Sequence, residues 1–176
     1  MENRRKISCF IASSLDGYIA TADDSLDWLF KVEGEGDAGY ADYIKNVDTI
    51  VMGRRTYEWV MEQENGNFPY TDQECYVFTS ARTGSDNFVT FTDEDVAAFT
   101  DRLKKRPGKD IWVVGGSQLL HAFLEEGLID EFIISIAPTL IGSGIPLFRE
   151  SATEQEFTLK SVKQYGQFAQ LHLTRK

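Results

Sequence analysis

The run Ile50-Val51-Met52-Gly53-Arg54-Arg55-Thr56-Tyr57-Glu58 carries apolar residues into a glycine, then into two arginines and a threonine. It predicts a buried strand, Thr49–Met52, turning into a helix from about Thr56 to Gln63. The turn presents backbone N–H groups and two guanidinium forks, which is where an open α/β sheet receives a phosphorylated ligand. The plan recurs downstream as Ile111-Trp112-Val113-Val114, then Gly115-Gly116-Ser117, then a helical pattern. Two such turns, the first with paired arginines, point to a dinucleotide and hence to an oxidoreductase.

The rest of the chain fits one domain over residues 1–176, long enough for a full core. A hydrophobic content of 42%, with 12% aromatic residues, is that of a globular protein. A net charge of −10 repels nucleic acid and anionic membranes, so neither is expected as a partner. The charged N-terminus lacks the apolar core of a signal peptide, and no run approaches the ~18 apolar residues of a membrane span. Cys9 and Cys75 sit in apolar runs and read as buried free thiols of a cytoplasmic protein. His121 and His172 are isolated, so no metal site is expected.

Along the chain, Ile7–Ala12 predicts a first strand, closed by the turn Ser13-Ser14-Leu15-Asp16-Gly17, with Tyr18-Ile19-Ala20 apolar after it. Thr21–Gly39 is acidic, holds three glycines and reads as a mobile loop beside a cleft, with a helical turn at Leu26–Phe30. Tyr40, Tyr43, Ile44 and Val47 share a helix face. Strands follow at Glu74–Thr79 and Phe88–Phe91. Thr92 and Asp95 resemble a capping box for a helix bearing Val96, Phe99 and Leu103, stopped by Pro107-Gly108. Ser117 is placed to cap the helix that Gly127 closes. Ile129–Ala137 reads as a strand, and Phe157–Val162 with Phe168–Thr174 as a hairpin about Tyr165-Gly166. The expected fold is α/β: a mixed, mostly parallel sheet with an antiparallel C-terminal hairpin.

Cations at a helix N-terminus oppose the macrodipole, so Arg54 and Arg55 there are better explained by an anion than by a solvated helix end. Gly115-Gly116-Ser117 is not a GxGxxG fingerprint, and Ser135, not an acid, stands twenty positions on. It reads equally as a pyrophosphate cradle or as a tight strand-to-helix turn. Thr79-Ser80-Ala81-Arg82 reads in isolation as an ordinary loop; beside Arg54 or Arg55 it suits an adenosine 2′-phosphate. No nucleophile elbow or triad context is present.

Taken in order, Ile11–Ala20, Val51–Glu58, Val113–Ser117 and Pro138–Phe148 resemble the dihydrofolate reductase superfamily, and within it the stand-alone relatives of the RibD C-terminal domain, the reductase of riboflavin biosynthesis. The resemblance implies a three-layer αβα fold on an eight- or nine-stranded sheet, NADPH as hydride donor, a small-molecule substrate and a homodimer. The nominal activity it implies is that of a 5-amino-6-(5-phosphoribosylamino)uracil reductase. A pterin or dihydrofolate reductase, or a non-catalytic dinucleotide-binding module, are the alternatives.

Carried over, the resemblance places Ala12 and Ile19 at the nicotinamide. Gly53, Arg54, Arg55 and Thr56 fall on the pyrophosphate and 2′-phosphate side, and Ser80 and Arg82 at the adenosine ribose. Gly115, Gly116, Ser117 and Gln118 fall at the pyrophosphate, with a cis Gly115–Gly116 bond. Counting back from Gly53 puts Asp37 where dihydrofolate reductases keep their pterin-binding acid. Asp37 is thus the expected proton donor, with Asp27 and Glu33 behind it. A phosphoribosyl substrate calls for Lys or Arg near the loop after the first strand, where this chain carries acids, leaving room for a neutral or cationic heterocycle.

Overall fold

A computed structural model describes residues 4–176. In chain order the elements are β1 (Ile7–Ser13), β2 (Tyr18–Ala20), α1 (Asp27–Phe30), α2 (Tyr40–Ile44), β3 (Val47–Gly53), α3 (Arg54–Gln63), β4 (Glu74–Phe78) and β5 (Gly84–Ser85). They continue as β6 (Thr90–Thr92), α4 (Val96–Lys104), β7 (Asp110–Gly115), α5 (Ser117–Glu125), β8 (Glu131–Ile136), β9 (Ile145–Pro146), β10 (Phe157–Tyr165) and β11 (Phe168–Arg175). Nine strands form one sheet in the order β10-β11-β8-β1-β7-β3-β4-β6-β5, and β2 pairs with β9 apart from it. From β8 across to β6 every pairing is parallel, while β11, β10 and β5 are antiparallel to their neighbours.

Period-two alternation sorts the strand side chains into two cores, one on each face. On one face Ile7, Cys9, Val51, Ile111, Val113 and Phe132 pack under Phe99 and Leu103 of α4 and Leu120 and Phe123 of α5. On the other, Ile50, Met52, Val77 and Trp112 pack under Tyr57 and Val60 of α3, with Tyr40, Tyr43 and Ile44 of α2 against them. Helices on both faces give the expected three αβα layers.

Several local expectations shift. Val47 belongs to β3 rather than to the helix before it, because its side chain is buried in the sheet core. Helix α3 starts at Arg54, so both arginines lie in its first turn. The carboxylate of Asp95, not the Thr92 hydroxyl, caps α4 by accepting from Ala98 N–H. Gly116 stands at the N-cap of α5; Ser117 is its first residue, and its Oγ accepts from Arg149 Nε at 3.1 Å. The small β2–β9 pair and β5 carry too few residues for a periodic signal.

Two polar arrangements, the first of them buried, fix the ends of the sheet. At the start of β1, buried Arg5 donates to Asp48 Oδ1 (2.5 Å), Thr49 Oγ1 (2.7 Å) and the Lys109 carbonyl (2.7 Å). At the opposite end, Asp16 accepts from Ser14 Oγ, Ile141 N–H and Gly142 N–H, while Leu15 N–H donates to the Thr139 carbonyl. The turn after β1 and the glycine loop before β9 are therefore one unit. Gly144 lets them close: at φ +148°, a Cβ there would lie 2.2 Å from the Ala20 carbonyl oxygen.

Candidate active site

Strands β3 and β7 lie side by side, with Met52 in register with Gly115. From β3 the chain passes through α3 to β4 on one side; from β7 it passes through α5 to β8 on the other. The direction of travel across the sheet thus reverses between them, and the two helices leave on opposite faces. Such a switch point opens a crevice beyond the carboxyl ends of the strands. Here both helix N-termini face the crevice, a double electropositive end without any side chain spent on it.

A cleft of about 1100 Å³ occupies this position. That is at or above the roughly 300–1,000 Å³ usual for one drug-sized ligand. Ala12, Ile19, Gly53, Arg54, Arg55, Thr56, Ser80, Gly115, Gly116, Ser117 and Gln118 all line it. Eleven of the twelve residues expected to hold a dinucleotide are thereby gathered in one cavity from four separate parts of the chain. The Gly115–Gly116 peptide is cis.

The glycines of the two turns show what the cavity is shaped for. Gly53 has φ −77°, ψ 161° and Gly116 φ −77°, ψ −163°, conformations open to any residue. A Cβ on Gly53 would come no closer than 3.6 Å to Gly116 N, and one on Gly116 no closer than 3.5 Å to Thr56 Oγ1. Packing against the rest of the chain demands glycine at neither position. What their missing side chains leave is bare backbone at the junction of two helix N-termini, which suits the close approach of a pyrophosphate.

The arginines are held, but lightly. Arg54 Nε donates to Glu58 Oε1 (2.7 Å) one turn along α3, and Arg55 Nε donates to Asp24 Oδ2 (2.6 Å) on the segment after β2. Both arginines are largely exposed. Exposed ion pairs contribute about 0–1 kcal/mol, so a phosphate can take over either guanidinium at small cost.

Four expected residues, Glu33 among them, do not reach the cleft lining. Arg82 places its guanidinium over the Phe91 ring, 3.8 Å from the centroid. Asp27 is exposed on α1, whose Leu29 lines the cleft in its place. Asp37 is exposed and accepts from Ala41 N–H and Gly39 N–H at the start of α2. Those two N–H groups hold its carboxyl below the usual range, the opposite of what a proton donor needs. At the start of the acidic segment, Thr21 N–H bonds the Ser25 carbonyl and Asp24 N–H the Thr21 carbonyl.

Sequence reasoning did not single out Trp59 or Arg149, both of which line the cleft. Trp59 lies one helical turn beyond Arg55, a position legible once α3 is set to start at Arg54. Arg149 follows the last quoted motif by a single residue, and only the folded chain brings it to Ser117.

Comparison with known proteins agrees with this architecture. The profile of the RibD C-terminal domain matches residues 5–171. Uncharacterized protein YwjB of Bacillus subtilis (strain 168) is 51% identical over 172 residues, covering 97% of this chain and 98% of that protein. A crystal structure from Shewanella sp. PV-4, provisionally assigned to riboflavin biosynthesis, superposes with a TM-score of 0.88 at 29% identity, covering 97% of this chain and 99% of that one. A diaminohydroxyphosphoribosylaminopyrimidine deaminase/5-amino-6-(5-phosphoribosylamino)uracil reductase of Thermotoga maritima shares the fold, with a TM-score of 0.71 at 16% identity. It covers 98% of this chain, which spans only 57% of that longer protein.

Proposed function

The chain belongs to the RibD C-terminal domain family, and from that premise we propose that it is an NADPH-dependent reductase of a small heterocyclic substrate, acting as one domain in the cytoplasm. The observation that carries this reading is the pair of side-chain-free turns at Gly53 and Gly116, where no internal contact calls for glycine and two helix N-termini meet. Reduced, buried Cys9 and Cys75 accord with a cytoplasmic setting. Among the described residues no helix is long and apolar enough to cross a membrane.

The division of labour follows from the lining. Gly53, Thr56, Gly115, Gly116, Ser117 and Gln118 hold the pyrophosphate through backbone N–H groups, hydroxyls and the side-chain amide. Arg54 and Arg55, now paired with Glu58 and Asp24, would hold the cofactor's phosphates, the 2′-phosphate included, and Ser80 would stand on the ribose side. Ala12 and Ile19, at the carboxyl end of β1 and on β2, bracket the nicotinamide and keep water from it. When bound, NADPH supplies the hydride; the chain's part is alignment, worth most where reacting atoms are held close. With Asp37 ionised at a helix start and outside the lining, water admitted through the cleft mouth is the proton source that this arrangement favours. A homodimer accords with exposed Leu159 and Val162 on the C-terminal hairpin.

Gly53→Ala tests the reading. The variant is expected to fold as the parent does, because its Cβ meets only ordinary contacts. NADPH affinity is expected to fall at least about tenfold, a loss of roughly 1.4 kcal/mol. Undiminished affinity would overturn the assignment of this turn. Single-turnover oxidation of bound NADPH by a panel of pterins and ribosylaminopyrimidines separates a reductase from a module that only binds the dinucleotide.

A further inference from the structure

We infer that the substrate of this reductase carries no phosphate: it is a small flat heterocycle, in contrast to the phosphoribosyl substrate named for the Thermotoga maritima relative. The inference rests on the reductase reading above, and it follows from where the cleft keeps its charges.

Arg54, Arg55 and Arg149 are the cations among the described residues that line the cleft, and no lysine does. All three are engaged where the two helices begin or by carboxylates of the lining. Arg54 and Arg55 form the first turn of α3, and Arg149 bonds the first residue of α5. These are the groups that a pyrophosphate and a 2′-phosphate consume. A second phosphate, belonging to a substrate, needs a further cation.

The rest of the lining adds no cation. Much of it is apolar, with Ala12 from β1, Ile19 and Ala20 from β2, and Leu26 and Leu29 from the segment after it. The carboxylates that line the cleft, Asp24, Glu58 and Asp93, equal the arginines in number, and two of them already pair with arginines. A phosphate dianion placed against the leucines would be desolvated without a partner, the most costly arrangement for a charge. The net charge of −10 adds long-range repulsion. Trp59 offers instead an aromatic face within the same cavity, the kind of surface on which a flat ring stacks.

The test uses the full-length protein, with ribose 5-phosphate as the probe of a phosphate subsite. Calorimetry is run first with NADPH alone, then with ribose 5-phosphate on the free protein and on protein saturated with NADP⁺. The inference expects ribose 5-phosphate to bind the free protein weakly, in competition with NADPH, and not to bind the saturated protein. Saturable binding to the NADP⁺-loaded protein would reveal a second phosphate subsite and overturn the inference, leaving the reductase reading intact. Failure of NADPH itself to bind would overturn both. In turnover, 5-amino-6-ribosylaminouracil is expected to exceed its 5′-phosphate at least tenfold in kcat/KM. The reverse order overturns the inference.

Discussion

Asp24 Oδ2 stands 2.6 Å from Arg55 Nε, so a carboxylate on the segment after β2 holds the arginine at the first turn of α3. Asp24 reaches there from a left-handed conformation, φ +64°, at the end of a hydrogen-bonded turn begun by Thr21. The contact closes one side of the cleft with a group of the same charge as the cofactor phosphates.

Removing that competitor should strengthen cofactor binding. Asp24→Ala is expected to tighten NADPH by up to about fivefold, since an exposed ion pair is worth up to about 1 kcal/mol. The gain should vanish in an Arg55→Ala background. Fluorescence titration of the two single variants and the double variant checks it. A gain that persists without Arg55 would show that Asp24 acts by another route.

The fold was legible in the sequence because its periodic segments are long and its two strand–glycine–helix turns are explicit. The meeting of Gly53–Thr56 and Gly115–Gln118 at one cleft was legible for the same reason: they are contiguous runs that need only be placed at adjacent strand ends. The proton donor was not. Asp37 was reached by counting back along an acidic segment, and counting cannot see that the carboxylate turns back to Gly39 and Ala41. Nor can sequence spacing see that the Arg82 guanidinium lies over Phe91, outside the cleft lining. Leu26, Leu29 and Arg149 come to the site through tertiary packing alone, which leaves no local pattern to read.

Stability at low pH should depend on the Arg5–Asp48 pair. Partial burial raises the Asp48 carboxyl, but the Lys109 N–H, the Thr49 hydroxyl and Arg5 outweigh it and hold the group below the ordinary aspartate value. A depressed folded value means that its stabilisation is complete above the unfolded pKa of about 3.9 and is lost as pH falls through the folded value. Asp48→Asn leaves buried Arg5 without its counter-charge and is expected to cost about 2–3 kcal/mol at pH 7, less than for a fully buried pair because Asp48 is partly exposed. Urea unfolding from pH 7 to pH 3 should show the two proteins converging as pH falls. A constant gap would contradict the assignment.

Neither cysteine should react in the folded protein. Burial pushes the thiols of Cys9 and Cys75 up to about 12, leaving almost no thiolate at pH 8. Titration with a thiol-specific disulfide reagent is expected to find no reactive thiol under native conditions and both in denaturant. Rapid modification of either in the native state would contradict the buried placement.

Arg54 and Arg55, at the meeting of the α3 and α5 N-termini, are the residues proposed to receive the phosphates of NADPH. The most direct measurement is a paired titration of the wild-type protein with NADPH and with NADH, followed by intrinsic fluorescence. A charge-assisted contact to the 2′-phosphate is worth about 1.5–3 kcal/mol, so NADPH is expected to bind at least about tenfold more tightly, with the preference lost in an Arg54→Ala/Arg55→Ala double variant. Equal dissociation constants for the two nucleotides, or a preference that survives in the double variant, would contradict it.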